Sequence, residues 1–270
     1  MRRAAHQIVD AEPLVFRDAF ALRLLDPATA EELKHTPRAD RKPYSAAMRA
    51  WVVARARVAE DTLHEGVTGG ATQYLVLGAG LDTFALRNPY PELRVYEVDH
   101  PATQAWKQER LRSAGIAVPE TATLVPVDFE RESLEQELQS AGFDRQQPTV
   151  TAWLGVVPYL TASAFAGTLD PLGSLPRGSS VVFDYAQPRE VLPPVEQLMH
   201  DSLAARVAQA GEPFQLYFTP AELAAELDRH GLVVTDDWGA ADINARYFVG
   251  RSDGLSLRGS GGRLCRAVVV

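Results

Sequence analysis

The sequence predicts an α/β fold built on a mainly parallel sheet, and three observations carry that prediction. Short β-rich runs alternate with helical stretches through the middle of the chain. The first of those runs opens onto a glycine-rich loop, YLVLGAGLDT (74–83). The last two runs form a hairpin-like pair at the end. Strands that alternate with helices need crossover connections, and crossovers pair strands in parallel.

The elements follow in order. Up to about residue 66 the chain reads as a helical cap, with an amphipathic helix at 19–25 and a longer one at 46–66 carrying Arg49, Arg55, Arg57 and Glu60. Gly69 and Gly70 break the pattern. The strand candidates are QYLVL (73–77), RVYEV (94–98), TLVPV (123–127), TVTAWL (149–154) and VVFDY (181–185), with Pro126 making the third irregular at its end. Helices are predicted at 102–114, 134–141 and 162–172. The stretch 189–218 is too long for an ordinary connection. It holds PREVLPP and an amphipathic run through Val207, and it reads as a lid over a site or a structural cover. A helix at 219–230 follows, with Thr219 as its cap, Pro220 in its first turn and Gly231 as its stop. VVTDDW (233–238) and LCRAVVV (264–270) complete seven strands. Residues 1–270 then read as one domain: cap 1–66, core 67–188, lid 189–218, and the last helix and strands 219–270.

Composition narrows the function. A chain of 270 residues that is 46% hydrophobic has the means to bury a substantial core. A formal net charge of -8 argues against a general nucleic-acid-binding surface. With one cysteine, Cys265, the sequence supports neither an internal disulfide nor a zinc cluster, and the six histidines lack ligand spacing. No metal is expected. MRRAAHQIVDAEPLVF lacks the apolar run of a signal peptide, and no stretch reaches the roughly 20 apolar residues of a bilayer span. A soluble cytoplasmic protein is the expectation. No stripe of residues fixes an oligomeric state.

The glycine loop carries the chemistry. A G-x-G after a strand makes a tight turn at which backbone approaches a ligand. The dinucleotide fingerprint wants glycine or alanine three residues after the second glycine. Here Gly78 and Gly80 are followed by Leu81, Asp82 and Thr83. Thr83 hinders close helix packing, and the carboxylate of Asp82 repels a pyrophosphate, so a nicotinamide dinucleotide is disfavoured. Asp99, about 20 residues on, ends the second strand where an acid accepts from ribose hydroxyls. Asp128 and Phe129 end the third, where a carboxylate accepts from an adenine amino group. Each aspartate also fits a helix cap. Together they suit a nucleoside with a cationic rather than a phosphorylated tail, which is S-adenosylmethionine (SAM). Its carboxylate needs a cation, and Arg55 or Arg57 stands on the helix before the first strand.

GAGLDT, YEVDHP, VDFE and WLGVVPYL, in that order and spacing, resemble the leucine carboxyl methyltransferase family, and more closely its bacterial branch of candidate polyketide O-methyltransferases. The likeness runs from about Arg55 to Tyr185. It implies the Rossmann-like class I methyltransferase fold, with extra N-terminal helices and an insertion before the sixth strand. It also implies roles: Arg55 on the SAM carboxylate, Gly78 and Gly80 under the methionine part, Asp99 on the ribose, Asp128 and Phe129 on the adenine, and Tyr159 beside the transferred methyl. One position departs: Leu154 stands where the leucine carboxyl enzymes have a glutamate near the SAM amino group. That amino group then relies on backbone carbonyls and Asp82.

The expected reaction is methyl transfer to an oxygen of a small-molecule acceptor, a polyketide-like phenol or a carboxylic acid. A carboxylate needs no general base, whereas a phenol with a pKa near ~10 benefits from one. His200, in the predicted lid, is the candidate base. His100 reads as a wall near the adenosine, while Tyr159, Tyr185 and Tyr217 are potential hydrogen-bond donors to the acceptor. Trp153 and Trp106 read as packing. The competing readings are a carboxyl methyltransferase of a peptide or protein C-terminus, a non-catalytic SAM-binding protein and a nicotinamide-dependent dehydrogenase.

Overall fold

A computed structural model describes residues 1–35, 42–128, 131–209 and 211–270. Seven strands form one sheet: β1 Gln73–Leu77, β2 Arg94–Asp99, β3 Ala122–Pro126, β4 Thr149–Trp153, β5 Ser180–Ala186, β6 Leu232–Trp238 and β7 Gly262–Val269. Their order is β3-β2-β1-β4-β5-β7-β6. The first five pair in parallel, and β7 runs antiparallel between β5 and β6. Every residue of β1 and β4 is buried, as expected of central strands covered on both faces. Alternate side chains feed two cores: Tyr74, Val76 and Val150 on one face, Leu75, Leu77 and Trp153 on the other. β3 is an edge strand, so Pro126, which has no N–H to donate, ends it without interrupting a ladder.

The helices are α1 Arg2–Val9, α2 Pro27–His35, α3 Pro43–Thr68, α4 Phe84–Arg87, α5 Pro101–Ser113, α6 Leu134–Ser140, α7 Ala162–Gly173, α8 Pro194–Gln209, α9 Pro220–Arg229 and α10 Ala240–Tyr247. The predicted end signals of α9 are present: Thr219 and Glu222 form a reciprocal capping box, and Pro220 occupies the first turn. Two predictions need correction. Residues 19–25 form successive turns and no helix. The carboxylate of Asp18 accepts from the backbone N–H groups of Phe20 and Ala21 and bends the chain there. Ala21 still packs against Ala4, Ala5 and Leu33, so the apolar pattern was a real burial signal with the wrong backbone. The second correction is α10, which lies between β6 and β7 and was not anticipated. Its N-terminus is closed by the Asp242 carboxylate, which accepts from the N–H of Gly239.

Cys265 lies buried in β7, where burial pushes its thiol up and keeps it protonated, so it serves as core. Among the described residues no helix is long and apolar enough to cross a membrane. Strand order reverses between β1 and β4, and an open α/β sheet has its crevice at such a reversal, beyond the C-terminal strand ends.

One charged pair sits inside this frame. Glu97 of β2 and Lys107 of α5 are each 2% exposed and meet at 2.5 Å. Burial pushes the Glu97 carboxyl up, and Lys107 works against that push. Removing one member leaves an uncompensated buried charge, which costs about 3–5 kcal/mol. Lys107→Met should therefore lower stability by about that amount in urea unfolding, and adding Glu97→Leu should restore most of it. Equal stability of Lys107→Met and the wild type would show that the pair contributes nothing.

Candidate active site

At the end of β1 the chain turns through Gly78 and Gly80, with φ of +66° and +49°. Such values belong to glycine. A Cβ on Gly78 would stand 2.3 Å from Val156 Cγ2, whereas the Cα of Gly80 faces open space. The turn is tied to β2. Ala79 N donates to Val98 O, and Gly80 N donates to Asp99 Oδ2 at 2.6 Å. Asp99 Oδ1 accepts from His100 N at 2.7 Å. Each of these carboxylate oxygens keeps a further lone pair.

Above the turn is a cavity of about 300 Å³, enclosed by the glycine loop, α3, the end of β4 and α1. Two guanidinium groups line it, from Arg3 and Arg55. Arg55 Nη1 donates to Asp184 Oδ2 at 2.9 Å, and the other oxygen of Asp184 accepts from Gly155 N. Gly155 has φ +74°, and a Cβ there would press on the Arg55 guanidinium at 2.6 Å. Arg3 Nη1 donates to Asp82 Oδ2 at 3.0 Å, and its Nη2 donates to Leu81 O. Burial opposes ionisation of Asp82, but the Arg3 guanidinium above all holds its carboxyl below the usual range. Glu60 also lines the cavity and is paired with Arg87. Burial pushes the Glu60 carboxyl up.

These residues fit SAM. A tail carrying a carboxylate meets two cations, the bare Cα of Gly80 admits close approach, and Asp99 has lone pairs for hydroxyl donors. The family comparison agrees with this chemistry, because residues 1–173 match the leucine carboxyl methyltransferase family. The chain belongs to that family. With membership come the class I methyltransferase fold and S-adenosylmethionine as cofactor.

The relatives named here are bacterial. YktD of Bacillus subtilis (strain 168), named as a candidate SAM-dependent methyltransferase, is 38% identical over 207 residues, spanning 76% of this chain and 68% of that protein. A Mycolicibacterium gilvum (strain PYR-GCK) protein of the same description is 36% identical over 182 residues, spanning 65% of this chain but only 57% of its relative. Among solved structures, a DUF574 family protein from Streptomyces avermitilis MA-4680 superposes with a TM-score of 0.61 at 18% identity, covering 100% of this chain and 97% of that one. Magnesium protoporphyrin IX methyltransferase from Synechocystis PCC 6803 gives 0.53 at 12% identity, covering 90% and 99%. At those identities the structures speak for the fold alone.

The leucine carboxyl methyltransferase fold brings Arg55, Gly78, Gly80 and Asp82 around one cavity, with Asp99 bonded to its floor. Arg57 turns away to Asp61 and the Tyr247 ring, so of the two predicted arginines Arg55 is the one that lines the cavity. Asp82 lines the cavity and also closes the start of α4 through Phe84 N and holds Arg3, so its charge is largely compensated. Asp128 follows β3 with its carboxylate 4.0 Å from His100 Nε2 and 3.6 Å from Arg131 Nε. Phe129 lies outside the described residues. Leu154 lines the cavity as an apolar wall. Trp153 stacks on Phe165 in the core, while Trp106 is 52% exposed and packs little. Tyr185 donates to Asp237, away from the cavity.

Tyr159 and His200 do not line the cavity. Tyr159 ends a 3-10 turn after β4, its ring 5.2 Å from that of Phe214. Burial pushes its phenol up, so it stays protonated. His200 lies on α8 against Phe214 and Tyr217.

Sequence reasoning missed Arg3 and Asp184. Asp184 stood in VVFDY as a polar residue inside an apolar strand, which is a readable sign of a paired buried acid. Arg3 gave no sign, because it reaches the loop only through the docking of α1. That docking rests on a buried set, in which Asp10 accepts from His6 Nδ1 and twice from Arg49. It also rests on Asp253, which accepts from Ala11 N. Burial raises the Asp253 carboxyl, but hydrogen bonds from Arg251 and from Ala11 and Leu255 N–H outweigh it and bring the pKa to about 2. A depressed acid stabilises fully above its unfolded value near ~4 and loses that stabilisation as pH falls through the folded value. The wild type should thus be more stable than Asp253→Asn at pH 7, with the gap closing between about pH 4 and pH 2. Urea unfolding across that range checks it; a constant gap would contradict the assignment.

Proposed function

We propose that this chain transfers the SAM methyl group to an oxygen of a small molecule, either a polyketide-like phenol or a carboxylic acid. The observation that carries the reading is the cavity in which Arg3 and Arg55 face the glycine turn while Asp99 grips that turn from β2. In this reading Arg55 and Arg3 hold the carboxylate of SAM, Gly78 and Gly80 pass beneath its methionine part, and Asp99 accepts from its ribose hydroxyls. Asp128 accepts from the adenine amino group. Leu154 offers the amino group no charge, which leaves loop carbonyls and Asp82.

Bound SAM supplies a methyl on an activated sulfonium, so alignment of the acceptor oxygen does most of the catalysis. The chain's part is orientation. Asp184 fixes Arg55 before any ligand arrives, which lowers the ordering cost of binding. The apolar surface of Leu154, Val76 and Ala152 keeps water from that end of the cavity. Tyr159, protonated, is a hydrogen-bond donor near the acceptor, and 189–218 acts as a lid.

The family's own description favours a carboxyl oxygen, and a peptide C-terminus is the alternative acceptor. The acidic chain, at -8, and Leu154 in place of an acid both weigh against transferring a protein substrate.

Asp99→Ala is the direct test. Loss of hydrogen bonds to a charged acceptor costs about 1.5–3 kcal/mol, so SAM affinity by calorimetry should drop about 10–100-fold. Unchanged affinity would overturn the site. Nicotinamide dinucleotide should give no heat with the wild type. Labelled SAM with a panel of phenols and carboxylic acids reads the acceptor class.

A further inference from the structure

His200 is the one histidine with no hydrogen bond among the described residues. Both of its ring nitrogens are buried and neither has a hydrogen-bond partner among the described residues. Nδ1 stands 3.7 Å from Asp201 Oδ1, longer than a hydrogen bond but within ion-pair range. The other five histidines all have partners: His6 with Asp10, His35 with Glu31, His64 with Tyr90, His100 with Ala102 N and His230 with Asp170. A buried polar group left unpaired costs about 1–3 kcal/mol. Where such a group persists, a catalytic role or a bound water or ion that completes it accounts for it.

The surroundings say what kind of ligand. The His200 ring lies 5.6 Å from Tyr217 and 6.4 Å from Phe214, and Phe214 lies 5.2 Å from Tyr159. Half-buried aromatic faces around one nitrogen base suit a flat ring bearing a hydroxyl. The group is held at the strand ends that face the cofactor cavity. Gln215 N and Leu216 N donate to Pro158 O, Gln215 Nε2 donates to Tyr159 O, and Phe218 N donates to Ala186 O at the end of β5. Tyr159 also lies close enough to Arg55 and Asp184 to feel their charges.

We propose that His200 is a catalytic base and that the acceptor is a phenol; this rests on the SAM-dependent O-methyl transfer put forward above. Asp201 stays ionised because Arg189 grips it through two hydrogen bonds, and that hydrogen bonding holds its carboxyl below the usual range. Its negative charge, 3.7 Å from Nδ1, favours the tautomer with the proton on that nitrogen, which leaves the Nε2 lone pair for the ligand. Among the described residues, the charged groups near this ring cluster include Asp201 with Arg189, Glu190 near Tyr217 and Glu212 near Tyr159. In the reaction the phenolic proton moves to Nε2. The oxygen's electron pair forms the O–CH3 bond, the C–S bond pair returns to sulfur and neutralises the sulfonium, and the imidazolium releases its proton to water. A carboxylic acid, already ionised at neutral pH with a pKa near ~4, has no proton for this base to take.

The test uses the full chain with S-adenosylhomocysteine, and 4-nitrophenol as the probe, whose visible absorbance reports its phenolate. The wild type should bind 4-nitrophenol at pH 7 with an increase in phenolate absorbance, and benzoate should not compete. His200→Gln and His200→Phe, the latter keeping the ring packing, should bind S-adenosylhomocysteine normally and lose at least about tenfold of the phenolate signal. With labelled SAM, their turnover of weakly acidic phenols should fall about 10²–10⁴-fold, and less for acidic phenols. Normal binding of S-adenosylhomocysteine without 4-nitrophenol binding, or variants equal to the wild type, or benzoate in place of the phenol, each overturns the assignment of His200 alone. No binding of S-adenosylhomocysteine takes down the cofactor reading as well.

Discussion

The hydrogen bond from Gly80 N to the Asp99 carboxylate is the joint on which the rest of the site depends. A reversal of strand order opens a crevice, but the crevice is useful only if the chain leaving β1 turns back within a few residues. Asp99 fixes that turn from the neighbouring strand. The turn then sets Asp82 at the start of α4, where it meets Arg3, and Arg3 carries α1 over the cavity. One backbone N–H thus orders a path from the middle of the sheet to the N-terminal helix. The strand that supplies Asp99 is itself braced one residue pair earlier by the buried Glu97–Lys107 contact.

Each cation at the cavity has an acid assigned to it before any ligand is bound: Arg3 has Asp82, and Arg55 has Asp184. Pairing lowers the net attraction each guanidinium exerts, and it also fixes the direction of the donors that remain. A bare cluster of arginines would attract phosphates without discrimination. Paired arginines beside an acidic loop favour a ligand that carries both signs of charge, which is the character of an amino acid tail.

Much of this was legible in the sequence because it was local. Strand and helix alternation, the glycine turn, Asp99 at a strand end and the Thr219 cap all depend on residues within a turn or two of one another. The misreading at 19–25 shows the limit: the apolar spacing reported burial correctly, while Asp18 bent the backbone out of a helix. Asp82 shows another, since its neighbours in sequence predicted a ligand contact and its neighbour in space, Arg3, lies 79 residues away. Leu154 read as a missing acid. In space an acid is present after all, on β5, where Asp184 holds Gly155 N and Arg55. Periodicity cannot see such exchanges, because they join strands by crossovers rather than by short turns.

The family match ends at residue 173, at the end of α7. Every residue assigned here to SAM comes before that point, apart from the brace at Asp184. His200, Phe214 and Tyr217 all come after it, on one continuous stretch that is anchored to the 158–159 turn and to Ala186 by a few hydrogen bonds. On the proposal that His200 serves the acceptor, most of the acceptor side, Tyr159 apart, is written after the part of the chain that holds the methyl donor. Under that proposal, exchange of the later part would retarget the enzyme to a new acceptor while the machinery that holds the methyl donor is inherited intact.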